Sequence, residues 1–425
     1  MWQVVLLIIA FFLFLFVAWR RLTWALAIIS LFLPVYIIRF QIWFIPFTFL
    51  EALILAVFLV WFIKVVVKKE KIEWSNFKWV ISMFLLVGIV AILISPDKRA
   101  ALGIYKAYFI EPILLFLVFI NTIKTESQVK LILYALGCSS LFVSLLALEQ
   151  YLGLWPGIEP YISEIPKRAT SFFPFPTAVG KFLAPIMSIF LAFVMVNKEK
   201  IIKPIFPKLF IWGVILFSLI GLLVSMTRGA FLGIFSAFIF LSFFNKYKKW
   251  FWLSILIVVV LVFVVPITRE QATSVFKGTD TSTDVHIVMW KGTVRLLKAR
   301  PIQGAGLAGF PIIYNIYRDP AHVELFPYPD NFYLAVWTEL GLAGLVAFLW
   351  LIIRFFKESA VFIRKKITSN FYYQLVLGLM AFMICILIHG MVDTPYFKND
   401  LSVMFWIFVG ILVVIKKIEL DRTKG

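Results

Sequence analysis

Apolar runs recur along almost the whole chain, parted by short polar or basic breaks. They fall near residues 2–19, 22–38, 42–63, 77–95, 103–120, 130–153, 177–196, 209–226, 229–244, 250–267, 332–353, 372–392 and 401–415. A bilayer core of about 30 Å is crossed by about 20 apolar residues in a helix, so the pattern predicts about 12–13 membrane spans. The first three runs are hard to divide, because the breaks at Arg20-Arg21 and Arg39-Phe40-Gln41 are short. Pro34 and Pro46 are expected to kink helices there rather than end them. Met1-Trp2-Gln3 has no basic region and no small-residue cleavage site, so the first run is read as a retained helix, not a signal peptide. The expected fold class is an all-α polytopic membrane protein, with residues 1–425 as a single integral membrane domain. Composition agrees. The 425 residues are 63% hydrophobic and 15% charged, against about 45–50% and about 25% in soluble domains. A cytosolic globule, a nucleic-acid binder and a disordered chain are excluded.

Charge adds a direction. Basic clusters follow the third run (Lys64, Lys68, Lys69, Lys71), the seventh (Lys198, Lys200, Lys203, Lys208), the ninth (Lys246, Lys248, Lys249) and the eleventh (Arg354, Lys357, Arg364, Lys365, Lys366). Another, Lys416, Lys417, Arg422 and Lys424, ends the chain. They alternate as one side of a membrane requires, and the positive-inside rule makes that side cytoplasmic, with the C-terminus on it. The other side carries short loops except near 154–176 and in the long segment 268–331. Within that segment 284–300 has apolar residues at helical spacing and basic residues at Lys291, Arg295 and Lys298. It predicts an amphipathic helix at the membrane surface, ended by Pro301. By this topology about 16 of the 41 Lys and Arg lie on the outer side, contrary to the simple rule. The net charge of +19 therefore includes a basic outer surface. An anionic ligand such as a lipid diphosphate and anionic lipid headgroups both fit it.

Three constellations could carry chemistry. Ser225-Met-Thr-Arg228-Gly-Ala230 lies between two apolar runs and can only be a tight turn between antiparallel helices. It holds Arg228 at the membrane boundary, where a charge needs a partner or a purpose. Phosphate binding is favoured over a snorkelling Arg, because Gly229 and Ala230 permit close approach. Lys167-Arg168 precede a Pro/aromatic turn before a membrane helix. That segment could present Arg168 to an anion or serve as an interfacial anchor. Gln303 to Gly309 is a Gly-rich turn including Gly304 and Gly306, and no strand precedes it, so a dinucleotide-binding reading fails. Asp330-Asn331-Phe332-Tyr333 then open a membrane helix. Asp and Asn are preferred caps, and Asp330 is also a possible outward-facing general base.

Other ionisable groups lie in or near the apolar runs: Glu51, Lys106, Glu111, Glu149, Lys181, Glu339, His389 and Asp393. The sequence does not pair them. His286 and His322 fall in the outer segment. With only two cysteines, no HExxH, no DxD and no carboxylate cluster at metal spacing, neither a metal nor another cofactor is expected.

The order of these motifs resembles the bacterial O-antigen ligase / O-antigen polymerase superfamily. The matching pieces are Arg168 to Gly180 and the Ser-x-x-Arg-Gly-Ala turn at 225–230. Trp290 with Pro301-Ile-Gln-Gly304-Ala-Gly306 follows, then Asp330-Asn331-Phe-Tyr333-Leu334 with Glu339-Leu-Gly341-Leu-Ala-Gly344, and last His389-Gly390-x-Val-Asp393. The similarity runs over roughly residues 100–415. It implies a multi-pass protein of the bacterial cytoplasmic (inner) membrane, like the type C glycosyltransferases. It also implies a glycan donor on undecaprenyl diphosphate, a glycan or lipid acceptor, and transfer at the outer face without a nucleotide sugar or metal. Arg168, Lys167 and Arg228 would bind the diphosphate. His286, His322, Asn331, Tyr333, Gly304, Gly306 and Asp393 would support the site. Two departures stand out. The family's His before Asn is Asp330 here, and the Arg before its Trp is His286. Asp330 is expected to replace the base, with His322 as the other choice; a subgroup with another acceptor, or an inactive relative, is the alternative meaning of the change. A transporter or flippase of lipid-linked glycans is the alternative. It would need cations lining a path through the bilayer, whereas here they collect at one face.

Overall fold

The computed structural model describes residues 2–42, 45–196, 206–246, 248–249, 252–253, 281–320, 326–364 and 369–422. The apolar run at 250–267, apart from its residues 252–253, lies outside these residues, as do 268–280 and His322. In chain order the helices are α1 (Trp2–Arg20), α2 (Leu22–Leu31), α3 (Phe49–Lys68), α4 (Lys78–Ile94), α5 (Lys98–Tyr105), α6 (Glu111–Thr122) and α7 (Glu126–Leu152). They continue with α8 (Pro176–Met195), α9 (Lys208–Ser225), α10 (Arg228–Ser242), α11 (Thr281–Ala299), α12 (Phe310–Tyr317), α13 (Phe332–Arg364), α14 (Asn370–His389) and α15 (Asn399–Arg422). A π-helical turn at Lys106–Ile110 joins α5 to α6. Eight stretches are long and apolar enough to cross a membrane: α3, α5 to α6 as one, α7, α8, α9, α13, α14 and α15. Val4–Arg20 of α1, with α2, α4 and α10, are shorter apolar helices. The chain is thus an all-α polytopic membrane protein.

The first 50 residues differ from expectation. The run at 22–38 ends its α-helix at Leu31 and continues as a 3-10 helix over Leu33–Ile37. Pro34 has no N–H to extend the ladder, so it terminates the helix instead of kinking it. Residues 39–42 and 45–48 are strands, not helix. Arg39–Ile42 (β1) pairs antiparallel with Ile45–Thr48 (β2), setting Gln41 opposite Pro46. A two-stranded ribbon has free outer edges, so it tolerates a proline there. Helix α3 begins only after the ribbon, in a capping box. Thr48 Oγ1 accepts from Glu51 N at 3.2 Å, and Glu51 Oε2 accepts from Thr48 N at 3.1 Å.

Polar contacts sort the helix ends into two faces. On one, Lys64 donates to Ala18 O and Trp19 O, Lys417 and Lys124 pair with Glu73, and Lys416 pairs with Glu358. Arg422 meets Glu126, and Gln374 Nε2 reaches Val196 O. The described members of the basic clusters lie here, so this is the lysine face. The opposite face carries the β-ribbon, the 153–175 segment, the two-residue turn between α9 and α10, helices α11 and α12, and the 390–398 segment. The buried side is one apolar cluster running from Phe14 to Ile415, and Met289, Leu296, Leu297, Ala305, Phe310 and Tyr314 form a smaller one under α11 and α12. Small residues bring helices together. Ser140 and Ser218 hydroxyls lie 2.7 Å apart between α7 and α9, and Gly221 packs on Ser144 of α7.

The segment after α11 docks into a break in α13. Gly341 has φ 69° and ψ −175° inside the helix, so the normal bond from Leu342 N to Thr338 O is lost. Leu342 N donates instead to Ile302 O at 2.9 Å, and Thr338 O accepts from Ala305 N at 2.7 Å. The loop thus supplies both partners that the broken helix lacks, as backbone at membrane depth requires. Helix α11 ends at Ala299, before Pro301 as expected, and the Pro301 carbonyl takes the Trp337 Nε1 proton at 2.7 Å. Gly304 and Gly306 have φ +65° and +81°. A Cβ at Gly306 would lie 2.6 Å from Ser95 N and 2.8 Å from Ala91 O at the end of α4.

Gly306→Ala combines that clash with a left-handed backbone. It is expected to destabilise the protein by more than about 1 kcal/mol, read as a lowered midpoint of thermal unfolding in detergent. Gly103, with nothing within 4 Å of its Cβ position, is the control. Gly103→Ala is expected to leave the midpoint unchanged or raise it.

Candidate active site

Four segments converge on the face opposite the lysines. The first is 167–171. Arg168 N donates to Tyr161 O and Ala169 N to Val224 O, both at 2.9 Å, which ties the segment to the end of α9. Gln150 of α7 braces it from below, accepting from Thr170 N at 3.1 Å and donating to Ser171 O at 2.5 Å. The Arg168 guanidinium donates to Ser225 O at 3.2 Å through Nε, not through its two terminal nitrogens. Burial holds its pKa below the usual value, opposed by Glu164 and Tyr161 and reinforced by Arg228. Two guanidinium groups within electrostatic reach repel each other, and a bound anion would relieve that. Lys167 is turned elsewhere, its ammonium donating to Tyr151 O at 2.9 Å.

The second segment is the turn between α9 and α10. Met226 adopts φ 51°, Thr227 is the N-cap, and exposed Arg228 is the first residue of α10. The Thr227 hydroxyl donates to Pro176 O at 3.2 Å and lies 3.0 Å from Ser225 Oγ, so it does not cap the first turn. A helix N-terminus with uncapped donors, carrying a cation in its first turn, favours an anion. Glycines press this turn onto its neighbours. A Cβ on Gly180 would lie 2.5 Å from Thr227 Cβ, and one on Gly229 would lie 2.6 Å from His389 Cδ2.

The third segment is 389–393, after α14. Asp393 accepts from the buried Lys181 ammonium of α8 at 2.8 Å, and its other oxygen lies 3.7 Å from His389 Nε2. Burial alone would raise the Asp393 pKa; Lys181 and His389 outweigh it and hold the carboxyl well below the usual range. The fourth is the start of α13. Asn331 caps that helix, accepting from Leu334 N at 3.0 Å. Its Nδ2 donates to Met391 O at 2.9 Å, Phe332 N donates to Gly390 O at 2.7 Å, and the Tyr333 hydroxyl donates to Leu387 O at 2.9 Å. Asp330 stands just before the cap with φ 41°, a strained conformation that Asp tolerates better than most residues. Trp290 Nε1 fixes the preceding peptide by donating to Pro329 O at 2.8 Å. His286 Nδ1 lies 4.0 Å from Asp330 Oδ2. Burial, then Asp393, push the Asp330 pKa up to about 7, against the pull of Lys181.

The sequence reading named most of these residues. The structure brings together Arg168, Arg228, His286, Asp330, Asn331, Tyr333 and Asp393. Gly304 and Gly306 lie against backbone of α13 and α4, and Glu339 accepts from Ala308 N at 2.6 Å beside them. Lys181 and His389 were legible as membrane-buried charges, but nothing in the sequence placed them here. Lys398 and Asp400, a buried pair at 3.2 Å, were not singled out. Among the described residues no group of three or more His, Cys, Asp or Glu could hold a metal ion.

Comparison with known families fits this geometry. Residues 213–349 match the O-antigen ligase family. That stretch is similar to an O-antigen ligase domain. The matched stretch runs from α9 to the middle of α13, about a third of the chain. Within it lie Arg228, Trp290, Gly304, Gly306 and Asp330. Arg168 and the His389–Asp393 segment fall outside the ligase stretch, yet they fold against it. The match supports a relation to the O-antigen ligase and polymerase superfamily, and glycan transfer of that general type. A comparison with curated proteins found no match.

Trp290→Phe keeps the ring and removes the bond to Pro329 O. The expected loss of stability is about 0.5–1.5 kcal/mol, with faster amide hydrogen exchange over residues 328–332. Unchanged exchange there would show that Trp290 does not hold the Asp330 turn.

Proposed function

We propose that the protein transfers a glycan from undecaprenyl diphosphate to an acceptor hydroxyl, a glycan or a lipid, at the outer face of the bacterial cytoplasmic membrane. The observation that carries the proposal is the meeting of Arg168, Arg228 and the first turn of α10 with Asp330 on one face. The lysine face would be cytoplasmic by the positive-inside rule, with the C-terminus there. The diphosphate would lie against the two guanidinium groups, which suit bidentate contact with phosphate oxygens. Asp330 would accept the proton of the acceptor hydroxyl as its oxygen bonds to the anomeric carbon. The bond from that carbon to the phosphate oxygen breaks, and undecaprenyl diphosphate leaves with the electron pair. Fixed cations stabilise the charge that develops on it. The leaving group is already on the donor, so the chemistry calls for no nucleotide sugar or metal.

A base must be deprotonated to act, and an aspartate near 7 works at neutral pH. With a lipid-diphosphate-linked oligosaccharide as donor, the transfer rate is expected to rise as pH climbs through about 7, the Asp330 value. Asp330→Asn should keep much of the local turn and lower the rate about 10²–10⁴-fold. Arg228→Ala should lower it about 10²–10³-fold. Transfer at the wild-type rate in both variants would overturn the proposal. No product from purified protein with donor and acceptor would favour a transporter.

A further inference from the structure

The site holds two carboxylates, Asp330 and Asp393, within electrostatic reach of each other. Like charges so placed oppose each other's ionisation. Among the described residues, the cation in direct contact with this arrangement is Lys181, bonded to Asp393. Lys181 projects from α8, is 6% exposed, and bonds Asp393 Oδ1 at 2.8 Å. Its position is built. Gly180 packs on Thr227, and the Lys181 ammonium also lies 5.2 Å from the Phe175 ring. Pro185, four residues on, has no N–H for the Lys181 carbonyl, which frees the helix locally from its regular ladder.

We propose that Lys181 is the positioning residue of the Asp330 base: its ammonium neutralises Asp393 and so allows Asp330 to carry the charge with which it accepts the hydroxyl proton. Lys181 acts through Asp393 and does not itself touch the substrate. The same ion pair sets the base's place as well as its charge. Asp393 ends the His389–Asp393 segment, whose Gly390 and Met391 carbonyls hold Phe332 and Asn331 beside Asp330.

Among the described residues, three groups face Asp330. His286 comes from α11 at 4.0 Å, Asp393 from the segment after α14, and Lys181 from α8. His389 acts on it through Asp393. Lys398, whose own pKa is pushed down to about 8 by burial, interacts with Lys181 and Asp393 from the next segment.

This inference rests on Asp330 as the base, so its test reads the charge of Asp330 with no donor or acceptor present. A hydrophobic carbodiimide modifies protonated, buried carboxyl groups. Full-length protein in detergent would be labelled over a pH series, and modification at Asp330 followed by mass spectrometry. The wild-type midpoint is expected near 7. Lys181→Met should move it up by about one unit or more, because Asp393 is then uncompensated. Lys181→Arg should restore it. Asp393→Asn should move it down, because the lysine then acts on Asp330 alone. That last variant decides the matter if Lys181→Met does not fold. A midpoint unmoved in folded Lys181→Met, or unmoved or raised in Asp393→Asn, overturns the inference. A transfer rate unchanged in Asp330→Asn would instead overturn the base assignment and leave the electrostatic pair standing.

Discussion

A carboxylate buried at the edge of a membrane needs a cation, and the contact between Asp393 and Lys181 is where this protein meets that need. Breaking such a pair by removing one partner costs about 3–5 kcal/mol. The pair links α8 to the segment after α14, residues 212 positions apart in the chain. From there the consequences run outward. The segment's carbonyls receive Phe332 N and Asn331 Nδ2 and so fix the start of α13. Gly229 lies against His389, which sets the turn carrying Arg228. Thr227 bonds back to Pro176 O at the start of α8 and closes the circuit. The buried ion pair thus connects the turn that carries Arg228 with the start of α13 beside Asp330.

The second constraint is the break in α13. A membrane helix interrupted at Gly341 leaves a donor and an acceptor that lipid cannot satisfy. The loop after α11 takes both, and Glu339 accepts from the same loop at Ala308. That docking carries α11 against α13 and lets Trp290 hold the peptide before Asp330. The glycines of the loop serve this close approach of backbone to backbone. They make room for protein, not for a dinucleotide.

Much of the architecture was legible in the sequence, because length and apolarity are properties of single segments. The runs along most of the chain became helices, and the described members of the lysine clusters lie on one face. The amphipathic segment folded as α11 and stopped before Pro301. Residues 32–42 and 45–48 depart from the expected kinked helices. A β-ribbon and a kinked helix share the same apolar composition, and only the pairing of Gln41 with Pro46 distinguishes them. The site was legible as a set of residue types, through Arg168, Arg228, Asp330 and Asp393. Its wiring was not. No local pattern marks Lys181 as the partner of Asp393, since that contact exists only once α8 and α14 pack together. The cap at Asn331 was readable from its residue type, whereas the strained φ of Asp330 was not.

The most direct test is a structure of the protein with an undecaprenyl-diphosphate-linked oligosaccharide bound. The two phosphates are expected within hydrogen-bond distance of Arg168 and Arg228, at the first turn of α10, with the anomeric carbon facing Asp330. A diphosphate bound on the lysine face, or on this face but away from both arginines, would contradict it.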